Sequence, residues 1–326
     1  MNWKKGIAVA LSAISIMAMV AGCGSNTATN DQKKIGVIQL VEHPSLDAAN
    51  KGFVDGLASK GYKDGENIKL DQQNAQADQS NLNSIAQRFV SDKKDLVLAI
   101  ATPSAQTMAN ASHDIPIMGT AITDYVTAKL VQSNEHPGGN VSGTSDMTPV
   151  EKEVDLIMAL VPNVKRIGAI YTSSEINSQL QVEKMKAYAA TKGITVVEAT
   201  VSNVNDIQQA ATNLVNQDVQ AIYTPTDNVL ASAMANLAQI TDAAKIPVFA
   251  ADEGMTMTGG VATYSVDYYK LGYQTGLMAA KVLSGEAKIS DLAIETQKDI
   301  KLTVNEERAK KLGITIPEAL RKDMKQ

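Results

Sequence analysis

The chain has 326 residues, of which 44% are hydrophobic and 4% aromatic, and its formal net charge is −5 at pH 7. This acidic balance, without any run rich in Arg or Lys, argues against a nucleic-acid-binding function. About 290 residues remain after the N-terminal segment. This length exceeds what a single hydrophobic core usually supports, so we expect two domains.

The chain begins with the pattern of an exported protein. Lys4 and Lys5 precede a mostly apolar run at positions 6–20, shorter than the roughly 20 residues that a membrane-spanning helix needs. The pattern predicts a signal peptide at residues 1–22. Cys23 is the only cysteine, so no intramolecular disulfide can form.

The residues around Cys23 suggest what this lone thiol does. Ala21 and Gly22 directly before it resemble the lipobox of bacterial lipoproteins, although Val20 stands where leucine is more usual. The resemblance implies that Cys23 is lipidated, with palmitate among its acyl groups, and that the protein is extracytoplasmic and held at the cell membrane by this anchor alone. An ordinary signal peptide with an incidental cysteine is the alternative. Residues 23–33 are then a lipidated flexible tether, because they are polar and lack apolar periodicity.

From residue 34 onward, short β-branched runs alternate with amphipathic stretches. Predicted strands lie at 35–40, 68–72, 96–100 and 115–118, and predicted helices lie at 45–60, 80–91 and 103–112. This alternation predicts an α/β fold with a parallel sheet covered on both faces. The later part adds a helix at 228–245, a strong helix at 268–283, a strand at 300–304 and a helix near 306–312.

The second half of the chain repeats the first. Three features recur at offsets of 132, 132 and 131 residues: Ile35-Gly-Val-Ile38 as Ile167-Gly-Ala-Ile170, Gly61 as Gly193, and Ile115-Pro116 as Ile246-Pro247. Thr102-Pro103 and Thr224-Pro225 stand 122 residues apart. The repeat predicts two doubly wound parallel-sheet lobes, joined by a hinge of more than one strand.

We place the boundaries of the two lobes from the turn-rich stretch at 138–143. Lobe 1 is expected at residues 34–142 plus about 265–290, and lobe 2 at 143–264. The tail at 291–326 is assigned to lobe 2, although the sequence leaves its lobe open.

Several short motifs, in this order and spacing, are similar to those of a known family. They are His43-Pro-Ser-Leu-Asp47, Ala101-Thr-Pro-Ser-Ala-Gln106, Gly143-Thr-Ser-Asp146, Tyr171 with Glu175 and Asn177, Thr224-Pro-Thr-Asp-Asn228, and Asp267-Tyr268 with Leu271-Gly272. From about Lys34 to its end the chain resembles the solute-binding lipoproteins of ABC importers, with the periplasmic-binding-protein type I fold. More narrowly, it resembles the family that includes the tryptophan- and tyrosine-binding lipoproteins of Gram-positive bacteria. At Asp124-Tyr-Val126 many relatives have Asp-Pro-Val, and the aromatic residue would alter the pocket. The resemblance implies an ABC permease and its ATPase as partners of a monomeric protein.

The first Thr-Pro pair predicts a carboxylate-binding site. Ligands of open α/β sheets bind beyond the carboxyl ends of the strands, where helices begin. The N–H groups of Ser104 and Ala105, the hydroxyls of Thr102 and Ser104 and the helix dipole would hold a carboxylate without an arginine. The alternative is that Thr102 only caps its helix and that Ser104 is exposed.

The second pair is followed by different chemistry: Thr226, Asp227 and Asn228. A lobe that offers a carboxylate opposite a lobe that offers N–H donors is complementary to a zwitterion such as an α-amino acid. Further candidates for the ammonium group are Asp252 and Glu253, with Asp124 beside Thr123 in the matching loop of lobe 1. Alternatively, Asp227 only caps the helix at Asn228, and Asp252 and Glu253 are solvated.

Four more residues are predicted to face the same cleft. Glu42 and Ser45 lie between the first strand and the first helix, and Ser174 and Glu175 lie at the corresponding place in lobe 2. Capping of the first helix by Ser45 is the alternative there.

The chain lacks the phosphate-loop, dinucleotide and serine-hydrolase motifs, and its three histidines have no ligand spacing. We therefore expect no catalytic residue, no metal and no cofactor. The predicted function is capture of a small zwitterionic ligand, an L-amino acid with Trp, Tyr or Phe favoured. A sugar is the alternative ligand, disfavoured because the one tryptophan, Trp3, lies in the signal peptide. A sensing accessory to a receptor and an enzyme are the remaining alternatives.

Overall fold

The computed structural model describes residues 32–324, and the chain from Gln32 onward forms a compact unit of its own. The predicted signal peptide, the lipidation of Cys23 and nearly all of the tether lie outside these residues. None of the helices in the described part is long and apolar enough to cross a membrane.

The described chain contains twelve strands and twelve α-helices, which alternate along most of its length. The strands are β1 (Lys33–Gln39), β2 (Ile68–Asn74), β3 (Leu96–Ile100), β4 (Ile117–Ile122), β5 (Val141–Ser145), β6 (Arg166–Thr172), β7 (Thr195–Val201), β8 (Ala221–Thr224), β9 (Val248–Ala250), β10 (Ala262–Ser265), β11 (Glu295–Thr296) and β12 (Lys301–Val304). The helices are α1 (Pro44–Ser59), α2 (Gln79–Ser91), α3 (Thr102–Ala111), α4 (Val150–Leu160), α5 (Ile176–Thr191), α6 (Ile207–Val215), α7 (Asn228–Ser232), α8 (Met234–Ala243), α9 (Glu253–Thr258), α10 (Tyr268–Leu283), α11 (Glu306–Lys311) and α12 (Glu318–Arg321).

Lobe 1 is built on a parallel sheet with the strand order β11-β5-β4-β3-β1-β2. Every residue of β3 is buried, as expected for a strand covered on both faces. Helix α10 packs on α1 and on β4 and β5, while α2 packs on α3. The carboxyl ends of these strands form the edge from which α1 and α3 begin.

Helices α1 and α10 cross unusually closely because glycines face each other. A Cβ atom at Gly272 would lie 1.8 Å from the carbonyl oxygen of Ala49, and one at Gly52 would lie 2.0 Å from that of Tyr269. Gly56 and Gly276 allow the same approach one turn further along. Only glycine fits such a contact between two backbones.

Lobe 2 is built on a second parallel sheet with the order β7-β6-β8-β9, beside which β10 and β12 pair antiparallel. The side chains of β6 alternate between two cores. Ile167 and Ala169 belong to the cluster that also takes in α4, α5 and the C-terminal tail, whereas Ile170 belongs to the cluster with α6, α7 and α8. This alternation is what the period of a strand requires.

Three chain segments connect the lobes: one after β5, one between β10 and α10, and one between β11 and β12. Side chains tie these segments to one another. Tyr268 donates from its hydroxyl to Oδ2 of Asp146 at 2.8 Å, and the Gln297 amide both accepts from Asp267 N and donates to Asp267 O. The architecture is two doubly wound lobes with a multi-strand hinge; the exact residue boundaries of the lobes stay a prediction.

The two Thr-Pro pairs differ in local structure. Pro103 stands at the second residue of α3, where its missing N–H costs no helix hydrogen bond. After Thr224-Pro225, however, the helix begins only at Asn228. The helix predicted at 228–245 is also two helices, α7 and α8, which meet at Ala233 with φ −126° and ψ 22°.

Candidate functional site

The start of α3 presents unpaired hydroxyl groups. The side-chain oxygens of Thr102 and Ser104 are buried and have no hydrogen-bond partner. Thr102 is not the N-cap: that position is Ala101, whose φ of 79° is unusual for a residue with a side chain. Strain of this kind costs on the order of 1–3 kcal/mol and concentrates at functional sites. The expectation that Thr102 caps its helix is therefore wrong, and so is the alternative that Ser104 is exposed.

The two lobes contact each other directly through polar side chains at this edge. Ser45 donates from Oγ to Oδ1 of Asp252 at 2.7 Å. The hydroxyls of Thr123 and Thr226 are 3.1 Å apart, and Nε2 of His43 lies 3.4 Å from Oδ1 of Asn228. The first residue of each pair belongs to lobe 1 and the second to lobe 2, so the cleft is closed in this structure. Ser45 does not cap α1, since the N-cap is His43.

Asp227 is fully engaged inside lobe 2. Its carboxylate accepts hydrogen bonds from Thr172 N and Oγ1, from Ser178 Oγ and from Leu230 N, at distances of 2.6–2.9 Å. The last of these makes Asp227 the N-cap of α7. Burial raises its pKa, while these donors lower it.

Glu175 lies next to Asp227 and is also buried. Asn228 donates to it from its backbone N–H at 3.1 Å and from its side-chain Nδ2 at 2.6 Å, and Asn177 Nδ2 donates at 3.1 Å. Burial, followed by the negative charge of Asp227, raises the pKa of Glu175 to about 8. A cationic group placed here would favour the charged carboxylate.

Asp252 faces a small cavity between the lobes, of about 10 Å³, which is close to the space of one water molecule. Its Oδ1 accepts from Ser45 and from Met255 N, the latter as the N-cap of α9. His43, Asp146 and Tyr268 line the same cavity. Burial lowers the pKa of His43, against the opposing charge of Asp252, so its ring is neutral at pH 7.

Sequence reasoning did not select Asp146, His43 or Tyr268 as site residues. A signal was present for Asp146, which directly follows β5 and so lies at the same sheet edge as the start of α3. His43 likewise lies between β1 and α1. Tyr268 comes to the cleft through the hinge, and nothing near it in the sequence indicates that position.

A larger cavity of about 440 Å³ is lined by residues of both lobes, with Glu175 among them. Leu40, Leu82, Pro103 and Leu130 line it from lobe 1, and Thr172, Ser174, Glu175, Ser202 and Val229 line it from lobe 2. The volume lies in the range of small-molecule pockets, and its lining combines apolar and polar side chains.

The remaining predicted residues lie in different places. Ala105 is buried behind Ser104, and Ser174 is exposed at the mouth of the larger cavity. Glu42 is exposed in a separate groove with Asp47. Asp124 accepts a local hydrogen bond from Thr127 N. Glu253 lies beside Ser265 and Asp267 near the hinge. The structure therefore does not bring Glu42, Asp124 or Glu253 together with the others.

Comparison with known proteins gives consistent matches over almost the whole described chain. The family model for "ABC transporter substrate binding protein" matches residues 34–326. A tyrosine-binding protein from Clostridioides difficile is 44% identical over 322 residues, covering 95% of this chain and 93% of the relative.

Two solved structures of similar sequence identity differ in how well they superimpose. A domain from Streptococcus pneumoniae in complex with L-Trp is 43% identical, covers 90% of this chain and 99% of its own, and has a TM-score of 0.87. A ligand-free, open substrate-binding protein with adhesive properties from Clostridium difficile is 46% identical with 90% and 98% coverage, but its TM-score is 0.67. The better match to the L-Trp complex agrees with the direct hydrogen bonds between the lobes.

Proposed function

The chain belongs to the family of ABC transporter substrate-binding proteins, and we propose that it captures an L-amino acid with an aromatic side chain in the cleft between its lobes. The observation that carries this proposal is the similarity, over 90% of the chain, to a domain that was solved with L-Trp bound. The likeness to a tyrosine-binding protein supports the same ligand class.

The carboxylate of the ligand binds at the start of α3. The free hydroxyls of Thr102 and Ser104 and the N–H groups of Ser104 and Ala105 supply donors there, and the positive end of the helix dipole adds to the attraction. Burial of two hydroxyls without partners is unfavourable in the empty protein, and a carboxylate satisfies both.

The ammonium of the ligand binds at the acidic part of the cleft. Asp252, Asp227 and Glu175 are buried close to Thr226 and Asn228, so a positive charge there offsets carboxylates that are taken out of water. Asp227 acts mainly by holding the end of β6 and the start of α7 in position, because its oxygens already accept several donors.

The aromatic side chain lies in the larger cavity. Its volume of about 440 Å³ is ample for an indole or a phenol ring. Leu40, Pro103 and Leu130 offer it apolar contacts from lobe 1, and Val229 does so from lobe 2.

The cellular setting of the protein is also part of the proposal. The protein acts as a monomeric lipoprotein, anchored through Cys23 outside the cytoplasm, and delivers its ligand to an ABC permease with its ATPase for import. It binds without catalysis. Ligand that bridges the two lobes shifts the population from open to closed, the form that the permease recognises.

Fluorescence of the ligand tests the proposal directly, because a chain that starts after Cys23 contains no tryptophan. L-Trp titrated into this protein is expected to show blue-shifted, saturable emission that L-Tyr or L-Phe competes away. Ser104→Ala and Asp252→Ala should each weaken binding by roughly tenfold, as the loss of one buried polar partner implies. The exposed Ser84→Ala variant is the matched control and should bind normally. The proposal fails if no aromatic amino acid binds, or if native mass spectrometry finds a co-purified sugar instead.

A further inference from the structure

One carboxylate in the cleft has an oxygen without a partner. Asp146 is 2% exposed, and its Oδ2 accepts the hydroxyl of Tyr268 at 2.8 Å. Its Oδ1 is buried and accepts no hydrogen bond. A buried carboxylate oxygen without a partner is energetically unfavourable, because burial removes its hydrogen bonds to water and no protein donor replaces them.

Among the described residues that line the small cavity beside Asp146, none is a lysine or an arginine. The small cavity that it lines is also lined by His43, Asp227, Asp252 and Tyr268. His43 is the one basic group among these, and its ring is neutral at pH 7 because burial lowers its pKa. Asp252 adds a second negative charge.

The protonation behaviour of Asp146 reflects this environment. The pKa of Asp146 is raised to about 6: burial is the main cause, the hydroxyls of Tyr268 and Thr123 oppose it, and the charge of Asp252 adds to it. The Thr123 hydroxyl also pairs with the hydroxyl of Thr226 at 3.1 Å, and either of the two can be the donor. Above pH 6 the closed lobes therefore enclose a charged carboxylate that lacks a counter-ion.

We propose that Asp146 is the counter-ion of the ligand's ammonium group, and that its uncompensated charge holds the empty protein open until that group arrives. This inference rests on the proposed function, since it names the residue that binds the ammonium group of the amino acid. Asp252 is less suited to this role because neither of its oxygens is both buried and without a partner, as Oδ1 of Asp146 is, and its Oδ1 accepts two donors. The cavity has space for a group about the size of one water molecule, which fits a primary ammonium and not the larger guanidinium.

The position of Asp146 gives this contact a mechanical consequence. The residue follows β5 directly and begins one of the three segments that connect the lobes. Asp146 is also hydrogen-bonded to Tyr268, which lies at the end of a second connecting segment. A ligand group bound to Oδ1 thus acts on the hinge itself, where the two states of the protein differ.

The test is a double-mutant cycle, in which the side chain at position 146 and the ammonium group of the ligand are removed separately and together. Calorimetry on the chain from residue 24 compares L-Trp with 3-indolepropionate, which lacks only the ammonium, in the native protein and in Asp146→Asn. The amide keeps an oxygen for Tyr268. We expect the native protein to prefer L-Trp on the order of 100-fold, and the preference to fall at least about tenfold in the variant, as for a close buried charge pair.

Two further variants make the result specific. Asp146→Ser removes the same charge with a smaller side chain, in case the amide disturbs the fold, which circular dichroism checks. Asp114→Asn removes an exposed charge outside the cleft and should leave the preference unchanged. Small-angle scattering should also show that unliganded Asp146→Asn is more compact than the unliganded native protein.

The possible failures are distinguishable. If L-Trp, L-Tyr and L-Phe all fail to bind the native protein, the proposed function and this inference are both overturned. If L-Trp binds but Asp146→Asn and Asp146→Ser keep the full preference for the ammonium, or if Asp252→Asn alone abolishes that preference, only this inference is overturned.

Discussion

A methyl group at position 272 should destabilise the protein strongly, although alanine normally favours a helix. The added Cβ atom would lie 1.8 Å from the carbonyl oxygen of Ala49, whereas real contacts of this kind stay beyond about 3 Å, so α1 and α10 must separate by on the order of 1 Å. Overpacking typically costs about 1–3 kcal/mol, and the separated helices also lose dispersion contacts along their length. The intrinsic preference of a helix for alanine returns about 1 kcal/mol. With the lost dispersion contacts included, we expect Gly272→Ala to lose about 1–2 kcal/mol of unfolding free energy.

Urea unfolding followed by far-UV circular dichroism measures this loss. Gly139→Ala is the matched control, because a Cβ atom there meets nothing within 4 Å. We expect the control to remain within about 0.5 kcal/mol of the native protein, as substitutions without contacts usually do. Equal stability of the two variants would refute the argument that the glycine contacts between α1 and α10 are essential.

Three other predictions follow from buried polar contacts. Burial raises the pKa of Glu153 to about 8 in the folded protein, compared with 4.5 in the unfolded chain. Proton binding by the folded state therefore stabilises the protein fully below pH 4.5. This stability is lost by up to about 1.4 kcal/mol per pH unit as the pH rises towards 8. Glu153→Gln should remove that part of the slope between pH 5.5 and 7.5 in urea titrations, and an unchanged slope would contradict the assignment. Ser45→Ala removes a hydrogen bond to Asp252 that joins the two lobes, and should weaken ligand affinity by roughly fivefold in calorimetry. Unaltered affinity would show that this bond does not contribute to closure. Arg308→Ala breaks the two-pronged contact with Asp242 that attaches α11 to α8, and should expose the C-terminal tail to limited proteolysis, whereas a tail as resistant as the native one would show that apolar contacts suffice.

Local patterns in the sequence predicted much of the fold. The helix expected at 268–283 has those bounds in the structure, because Asp267 caps its start and a long amphipathic pattern fills it. The strand after position 115 instead begins at Ile117, since Pro116 has no N–H to donate to the sheet. The duplicated α/β plan is confirmed by the two parallel sheets and by the similar solved structures.

The site was harder to predict, because its chemistry depends on partners far away in sequence. Nothing near Asp227 shows that Thr172 and Ser178 donate to it, so sequence alone could not decide between a capping and a ligand-binding role. The unpartnered oxygen of Asp146 is a property of the folded cleft and leaves no sequence signal. Capping by Thr102 was the alternative to ligand binding, and the structure instead has Ala101, one residue earlier, at the cap position.

The way in which the lobes touch has a consequence for the medium in which the protein works. The contacts described across the cleft are hydrogen bonds of hydroxyl, imidazole and amide groups, and of one carboxylate that accepts from a serine. None of the ion pairs found between residues 32 and 324 connects lobe 1 with lobe 2. Dissolved salt weakens exposed ion pairs by screening, whereas buried hydrogen bonds of hydroxyl, imidazole, amide and carboxylate groups are screened much less. Closure should therefore keep its strength from low to high ionic strength, so that the protein works over a wide range of external salt concentrations.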